Sequence, residues 1–422
     1  MYSKKELPNG LNIITSQMPF MTSVSLGVWI GVGGRHESKE NSGISHLIEH
    51  MLFKGTETRS AKELKESIEG IGGSFNGFTS DEATCYMVKV PASYLELGLE
   101  VLADMVFNPK FSDEDLAKEK FVVCEEIKMY RDQPSDHVGE LLGEIMWPDN
   151  PLGRPLTGTI ETVKAFTRED IRKFKDSSYH PGNIAVIAAG KFEPPGLVKL
   201  VRERFCAKKG KRLSFPVPEI KQKKLNCKFL KKNINQTHVA MGFHADGSNT
   251  KDRFALKILN IVLGGNMSSR LFEELREKYG LCYDIASMYK RHSDVGEFII
   301  HAGVDSKKAA SSVIAILDEL KKVRDLSVTD DELRRAKEFS KGQFLLAMES
   351  TSSRMLWLGD RLIVDGRIPD VEDLIKKIDA VTKKDISAVC DKMFRANMIN
   401  LSMIGKITPA EEKRIVSELG KL

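Results

Sequence analysis

No export signal, membrane anchor or cysteine framework is visible in the sequence. Its six cysteines, Cys85, Cys124, Cys206, Cys227, Cys282 and Cys390, are scattered with no Cys-x-x-Cys pair. That spacing argues against a disulfide scaffold and for reduced thiols in a cytosol-like compartment. No apolar h-region follows Met1-Tyr2-Ser3-Lys4-Lys5-Glu6-Leu7-Pro8, and no stretch is apolar for long enough to span a bilayer. The expectation is a soluble, cytoplasmic protein with no membrane partner; a mitochondrial matrix protein freed of its presequence would look the same. A charge excess is missing too. The 64 basic and 59 acidic residues leave +5 with His neutral, too little to argue for nucleic acid. Gly31-Val32-Gly33-Gly34 lacks the Gly-Lys-Ser/Thr ending of a phosphate loop and reads as a flexible bend.

What is present is ordinary globular composition, 41% hydrophobic and 29% charged, over 422 residues, a length that favours two or more domains. Short β-rich runs at 11–16 and 24–30 precede helical patterns at 44–53, 61–69, 94–107 and 113–131, the second capped by Ser60. A strand-like stretch, 74–90, has a polar middle. A Pro/Gly-rich loop at 148–158, a helix at 168–176 and an apolar strand at 183–189 complete the first half. Residues 208–224 are basic, carry two prolines and keep no period, as a linker would.

The second half repeats the first. Val163-Lys164-Ala165-Phe166-Thr167-Arg168-Glu169-Asp170-Ile171 is similar to Ile378-Asp379-Ala380-Val381-Thr382-Lys383-Lys384-Asp385-Ile386. At the same spacing, Gly190-Lys191-Phe192 matches Gly405-Lys406-Ile407. Without steady βα alternation, the fold expected is α+β: two homologous domains, each a mostly antiparallel sheet with helices packed on one face. The boundaries expected are 1–207, linker 208–224 and 225–422.

The chemistry concentrates in Ile44-Ser45-His46-Leu47-Ile48-Glu49-His50-Met51-Leu52-Phe53, which reads His-x-x-Glu-His inside an apolar-periodic run. At about 100° per helical residue, His50 lies about 40° round from His46, and Glu49 about 60° to the other side. One ion can meet both imidazoles while the carboxylate faces its open position, as a zinc hydrolase requires. Two histidines sharing a helix face by chance is the plain alternative. This motif has no counterpart in the second half, where the helix of Glu126 aligns with one carrying Gln343.

A catalytic zinc takes three protein ligands and a water, so a third must come from elsewhere. The helix 117–127 offers Glu119, Glu125 and Glu126. Glu119 and Glu126 share a face, and Glu125 is turned about 100° away from Glu126. Glu126 is the ligand chosen, with Glu119 as an outer-shell or electrostatic partner; periodicity alone favours a solvated acidic face.

His46-Leu47-Ile48-Glu49-His50 with Glu119 and Glu126 resembles the pitrilysin family of zinc peptidases, particularly bacterial relatives of the processing-peptidase β-subunit. The likeness extends through Leu7-Pro8-Asn9-Gly10-Leu11, 72–80, Pro151-Leu152-Gly153-Arg154-Pro155 and 264–272. Gly77, where relatives often carry Ala, is a minor departure. The resemblance implies one Zn2+ per chain on His46, His50 and Glu126, and Glu49 as the catalytic base. It also implies an edge strand around Asn76, Phe78 and Thr79 that pairs with an extended peptide substrate. Arg276 and Tyr283 match a substrate-positioning pair. With two domains where single-chain members have four, the implied arrangement is a homodimeric clamshell, or a heterodimer with a related subunit. In it, Arg276 and Tyr283 reach the partner's zinc. The activity implied is endopeptidase cleavage of peptides, presequences or unfolded segments; a non-catalytic peptide-binding subunit is the rival.

Overall fold

The computed structural model describes residues 2–207, 210 and 212–422, so Lys208, Lys209 and Lys211 of the expected linker lie outside the described residues. One sheet is built from β1 (Ser3–Glu6), β2 (Asn12–Gln17), β3 (Ser23–Ile30), β4 (Ser74–Thr79), β5 (Thr84–Pro91) and β6 (Ile184–Gly190). Its strand order is β1-β2-β6-β3-β5-β4, parallel only between β2 and β6. A second sheet holds β7 (Asn226–Lys231), β8 (Gln236–Asp246), β9 (Cys282–Arg291), β10 (Val295–Asp305) and β11 (Asn400–Gly405). Its order is β7-β11-β8-β10-β9, parallel only between β7 and β11. Apart from β1 the two orders are the same permutation of chain order. The duplication in sequence is thus a duplication of topology. It extends to helix starts: Thr167 and Thr382 each cap a helix whose third residue, Asp170 or Asp385, bonds back to the cap.

Most helices pack on one face of each sheet, as expected, and one further helix covers the opposite face. The reason lies in the central strands. β6, Ile184-Ala185-Val186-Ile187-Ala188-Ala189-Gly190, is buried at every position, so both of its faces need an apolar cover. On one face of the first sheet lie α1 (Ile44–Leu52), α2 (Ala61–Glu69), α3 (Leu95–Phe107) and α4 (Asp113–Asp132). They contribute Leu47, Ile48, Met51, Leu64, Leu99, Leu102, Val123 and Ile127 to one core. On the opposite face Ile14, Trp29, Ala185, Ile187 and Ala189 meet Met355, Leu358 and Leu362 of the helix Thr351–Val364. The approach is close: a Cβ on Gly359 would fall 2.1 Å from Trp29 Cε2, so glycine is required there.

The second sheet has its own back helix, α5 (Pro134–Met146). Its Val138, Leu141, Leu142 and Met146 pack on Ala240, Val295 and Ile404, and Ser402 Oγ donates to the Val138 carbonyl at 2.6 Å. The sequence reading has no element between Arg131 and Pro148. Yet Pro134 at the first turn and the apolar spacing 138, 141, 142, 146 are helix signals.

These back helices change the domain limits. One compact unit comprises residues through Lys128, Arg154–Pro216 and Leu345–Asp370; the other comprises Met129–Gly153, Val217–Phe344 and Val371–Leu422. A single cut near 208–224 would take from each sheet the helix that covers its back. Among the described residues, no helix is long and apolar enough to cross a membrane.

Candidate metal centre

α1 is anchored by its apolar side. Ile44, Leu47, Ile48, Met51 and Leu52 are buried, which turns His46, Glu49 and His50 toward the opposite, half-buried side. Its N-terminus is capped from outside the helix. Gly43 takes φ 91°, and a Cβ there would lie 2.5 Å from the Thr157 carbonyl. Glu37, buried, accepts from Gly43 N at 2.7 Å and from Ser45 N at 2.8 Å. Burial pushes the Glu37 carboxyl up to about 7 against the pull of those two N–H groups. Arg154 in turn donates to the Glu37 carbonyl. Sequence reasoning left Glu37 without a role, and a cap seven residues ahead of the helix has no periodic signal.

α4 crosses beside α1 and brings its acids to the histidines. Glu126 Oε2 stands 3.7 Å from His46 Nε2 and 3.7 Å from His50 Nε2. The candidate ligand atoms of His46, His50 and Glu126 all lie within 4.8 Å of one another, the one such group among the described residues. Ligands about 2.0–2.2 Å from a tetrahedral zinc are about 3.3–3.5 Å apart, so these three need only small side-chain movements to close on an ion. Glu126 Oε2 is buried and accepts no hydrogen bond, an expensive state for a carboxylate oxygen unless a cation faces it. The residues fit a zinc ion.

Protonation agrees with that fit. Burial, with help from the neighbouring His50, lowers His46 to about 4, so its imidazole is neutral and free to ligate at neutral pH. For His50 burial also acts downward but is outweighed by the hydrogen bond to Glu119 and the charges of Glu126, Glu49 and Glu119, and the net shift is upward. Glu119 is buried. Its Oε2 lies 3.1 Å from His50 Nδ1 and its Oε1 lies 2.6 Å from Lys54 Nζ. Burial works to raise Glu119, yet His50 and Lys54 hold it below the usual carboxylate range.

Glu49 is not in the ligand cluster. Its Oε2 accepts from the Thr79 hydroxyl at 2.6 Å, and burial raises its pKa even so. Glu125 is outside the site, exposed and paired with Lys128. β4 is the edge strand of its sheet, bonded only to β5. On it Asn76 is exposed, Phe78 meets Trp29 edge-on, and the Thr79 side chain is committed to Glu49. At Gly77 a Cβ would come within 3.0 Å of the Phe53 ring. Arg276 and Tyr283 belong to the other unit, with the guanidinium 5.1 Å from the ring centre and Tyr283 largely exposed.

Residues 12–160 match the family model described as Insulinase (Peptidase family M16), and residues 165–339 match the Peptidase M16 inactive domain. An uncharacterized zinc protease of Bacillus subtilis is 37% identical over 93% of this chain and 96% of its own length. One from Streptomyces coelicolor is 34% identical, covering 97% and 90%. In fold, the chain is similar to a crystal structure of a protease from Helicobacter pylori, with a TM-score of 0.90 at 24% identity, covering 96% of this chain and 99% of that one. Fold and site define a two-domain α+β protein with a candidate metal centre in one half. The chain belongs to peptidase family M16, the insulinase or pitrilysin family.

Proposed function

We propose that this protein is a zinc-dependent endopeptidase acting on extended peptides or unfolded polypeptide segments. The observation that carries the reading is a buried, partnerless carboxylate oxygen of Glu126 facing two imidazole nitrogens, with Glu49 held alongside. His46, His50 and Glu126 would hold one zinc per chain. When bound, zinc supplies a Lewis acid for the scissile carbonyl and makes a water acidic near pH 7.

The rest of the work falls to the chain. Glu49 takes the proton of the attacking water as general base and returns it to the leaving amine as general acid. Its raised pKa suits that exchange, because a base poised nearer neutrality also donates readily. The free edge of β4 offers main-chain N–H and C=O groups to an extended substrate, with loose selection of side chains. Arg276 and Tyr283 would position peptide at the zinc of a second copy in a homodimer. The scattered cysteines fit a reducing, cytosol-like compartment.

The test is cleavage of a quenched-peptide library by the protein stripped of metal, then reloaded with zinc, beside Glu49→Gln. Zinc-restored cleavage that Glu49→Gln abolishes while retaining metal supports the reading. Peptide binding without cleavage by the zinc-loaded protein would make it a binding subunit instead, and an active, metal-loaded Gln variant would rule out Glu49 as the base.

A further inference from the structure

We propose that Lys54 is a positioning residue of the metal centre: acting through Glu119, it fixes the His50 ring so that Nε2 faces the ion. The inference rests on the zinc reading above, but the contacts that carry it involve the chain alone.

Lys54 follows α1 by two residues, and its N–H bonds the Met51 carbonyl at 3.1 Å, continuing the helical path. His46, His50 and Lys54 therefore recur at intervals of four along one side. The Lys54 ammonium is 2.6 Å from Glu119 Oε1, and Glu119 Oε2 is 3.1 Å from His50 Nδ1. The carboxylate is thus held at both oxygens, one by a cation and one by the ring. An ionised carboxylate only accepts, so Nδ1 carries the ring proton and Nε2 keeps its lone pair. That Nε2 is the atom 3.7 Å from Glu126 Oε2.

The other histidine provides a contrast within the same site. His46 Nδ1 is buried with no hydrogen-bond partner, so only packing orients that ring. The two ligands differ in how they are held, and Lys54 accounts for the difference. The side chain of Glu119 is 6% exposed. Without Lys54 its Oε1 would be a buried charged oxygen with no cation beside it, and the carboxylate would turn to find one. A simple surface ion pair would have no such consequence, since its loss is worth little and leaves both partners to water.

The experiment uses the metal-free full chain, with ring-nitrogen NMR of His50 at a pH above its titration, and zinc affinity by competition with a chelator. The wild type should carry its proton on Nδ1. Lys54→Met should mix the tautomers of His50, leave His46 unchanged and weaken zinc about tenfold; Lys54→Arg should restore both. An Nε2-protonated His50 in the wild type would overturn the proposal, even if Lys54→Met failed to fold. So would unchanged tautomer and affinity in Lys54→Met, or equal losses in Met and Arg. A wild type that takes up no zinc would sink the zinc reading, and the ring-nitrogen measurement would still decide the role of Lys54.

Discussion

The Thr79 hydroxyl donates to Glu49 Oε2 across 2.6 Å, tying the edge strand β4 to the proposed base on α1. This bond lowers the Glu49 pKa against burial, which raises it. Thr79→Val removes the donor, so Glu49 should hold its proton to higher pH. We expect kcat to fall about tenfold, from the loss of one hydrogen bond to a charged group, with KM and zinc content little changed. The acidic limb of the kcat–pH profile should move upward. A wild-type profile in Thr79→Val would deny the bond any part in tuning the base.

Glu126→Gln replaces the partnerless oxygen by a neutral amide. Zinc retained after dialysis should fall sharply, because an amide is a poor zinc ligand. The metal-free variant should be no less stable than metal-free wild type, since a buried carboxylate oxygen that accepts no hydrogen bond has been removed. Unchanged affinity would move the third-ligand assignment to another acid.

Zinc and protons compete for the same ring nitrogens. His46, at about 4, has already lost its proton at neutral pH, whereas His50 is held above its ordinary value. A raised pKa means the proton stays on as pH falls through that value. Zinc affinity should therefore weaken about tenfold per pH unit below it, with one proton displaced per ion. Calorimetry in buffers of different ionisation enthalpy, at a pH low enough to keep a zinc-bound water protonated, counts that proton; two displaced protons would contradict the neutral state of His46.

Gly359→Ala should destabilise the unit that holds the metal site. The new Cβ would meet Trp29 at 2.1 Å. Overpacking typically costs about 1–3 kcal/mol, and the better helix propensity of Ala returns about 1 kcal/mol. Denaturant unfolding should show a net loss of about 1 kcal/mol; a gain would mean the back helix shifts freely.

If Arg276 and Tyr283 serve a partner's site, mixing Arg276→Ala with Glu49→Gln under subunit exchange should restore part of the activity. One site in the mixed dimer would then be intact. Absence of rescue, with exchange verified by mass, would place both functions in one chain.

Much of this was legible from local periodicity. A helical period puts His46, Glu49 and His50 within one arc, the same period separates Glu125 from Glu126, and the capping residue Ser60 marks a helix start. The repeat spacing foretold two like topologies. The back helices were not legible as such. Their apolar stripes show that they are buried, but not on which sheet.

Local patterns along the chain determined most of the elements, the duplication and the face of α1 that carries His46, Glu49 and His50, because side-chain direction repeats every 3.6 residues in a helix and every two in a strand. Tertiary structure alone decided that Glu126 meets two Nε2 atoms, that Glu119 is shared by His50 and Lys54, and that Thr79 reaches Glu49. Those pairs are brought together by packing between elements far apart in sequence, and no period within one element encodes a distance to another.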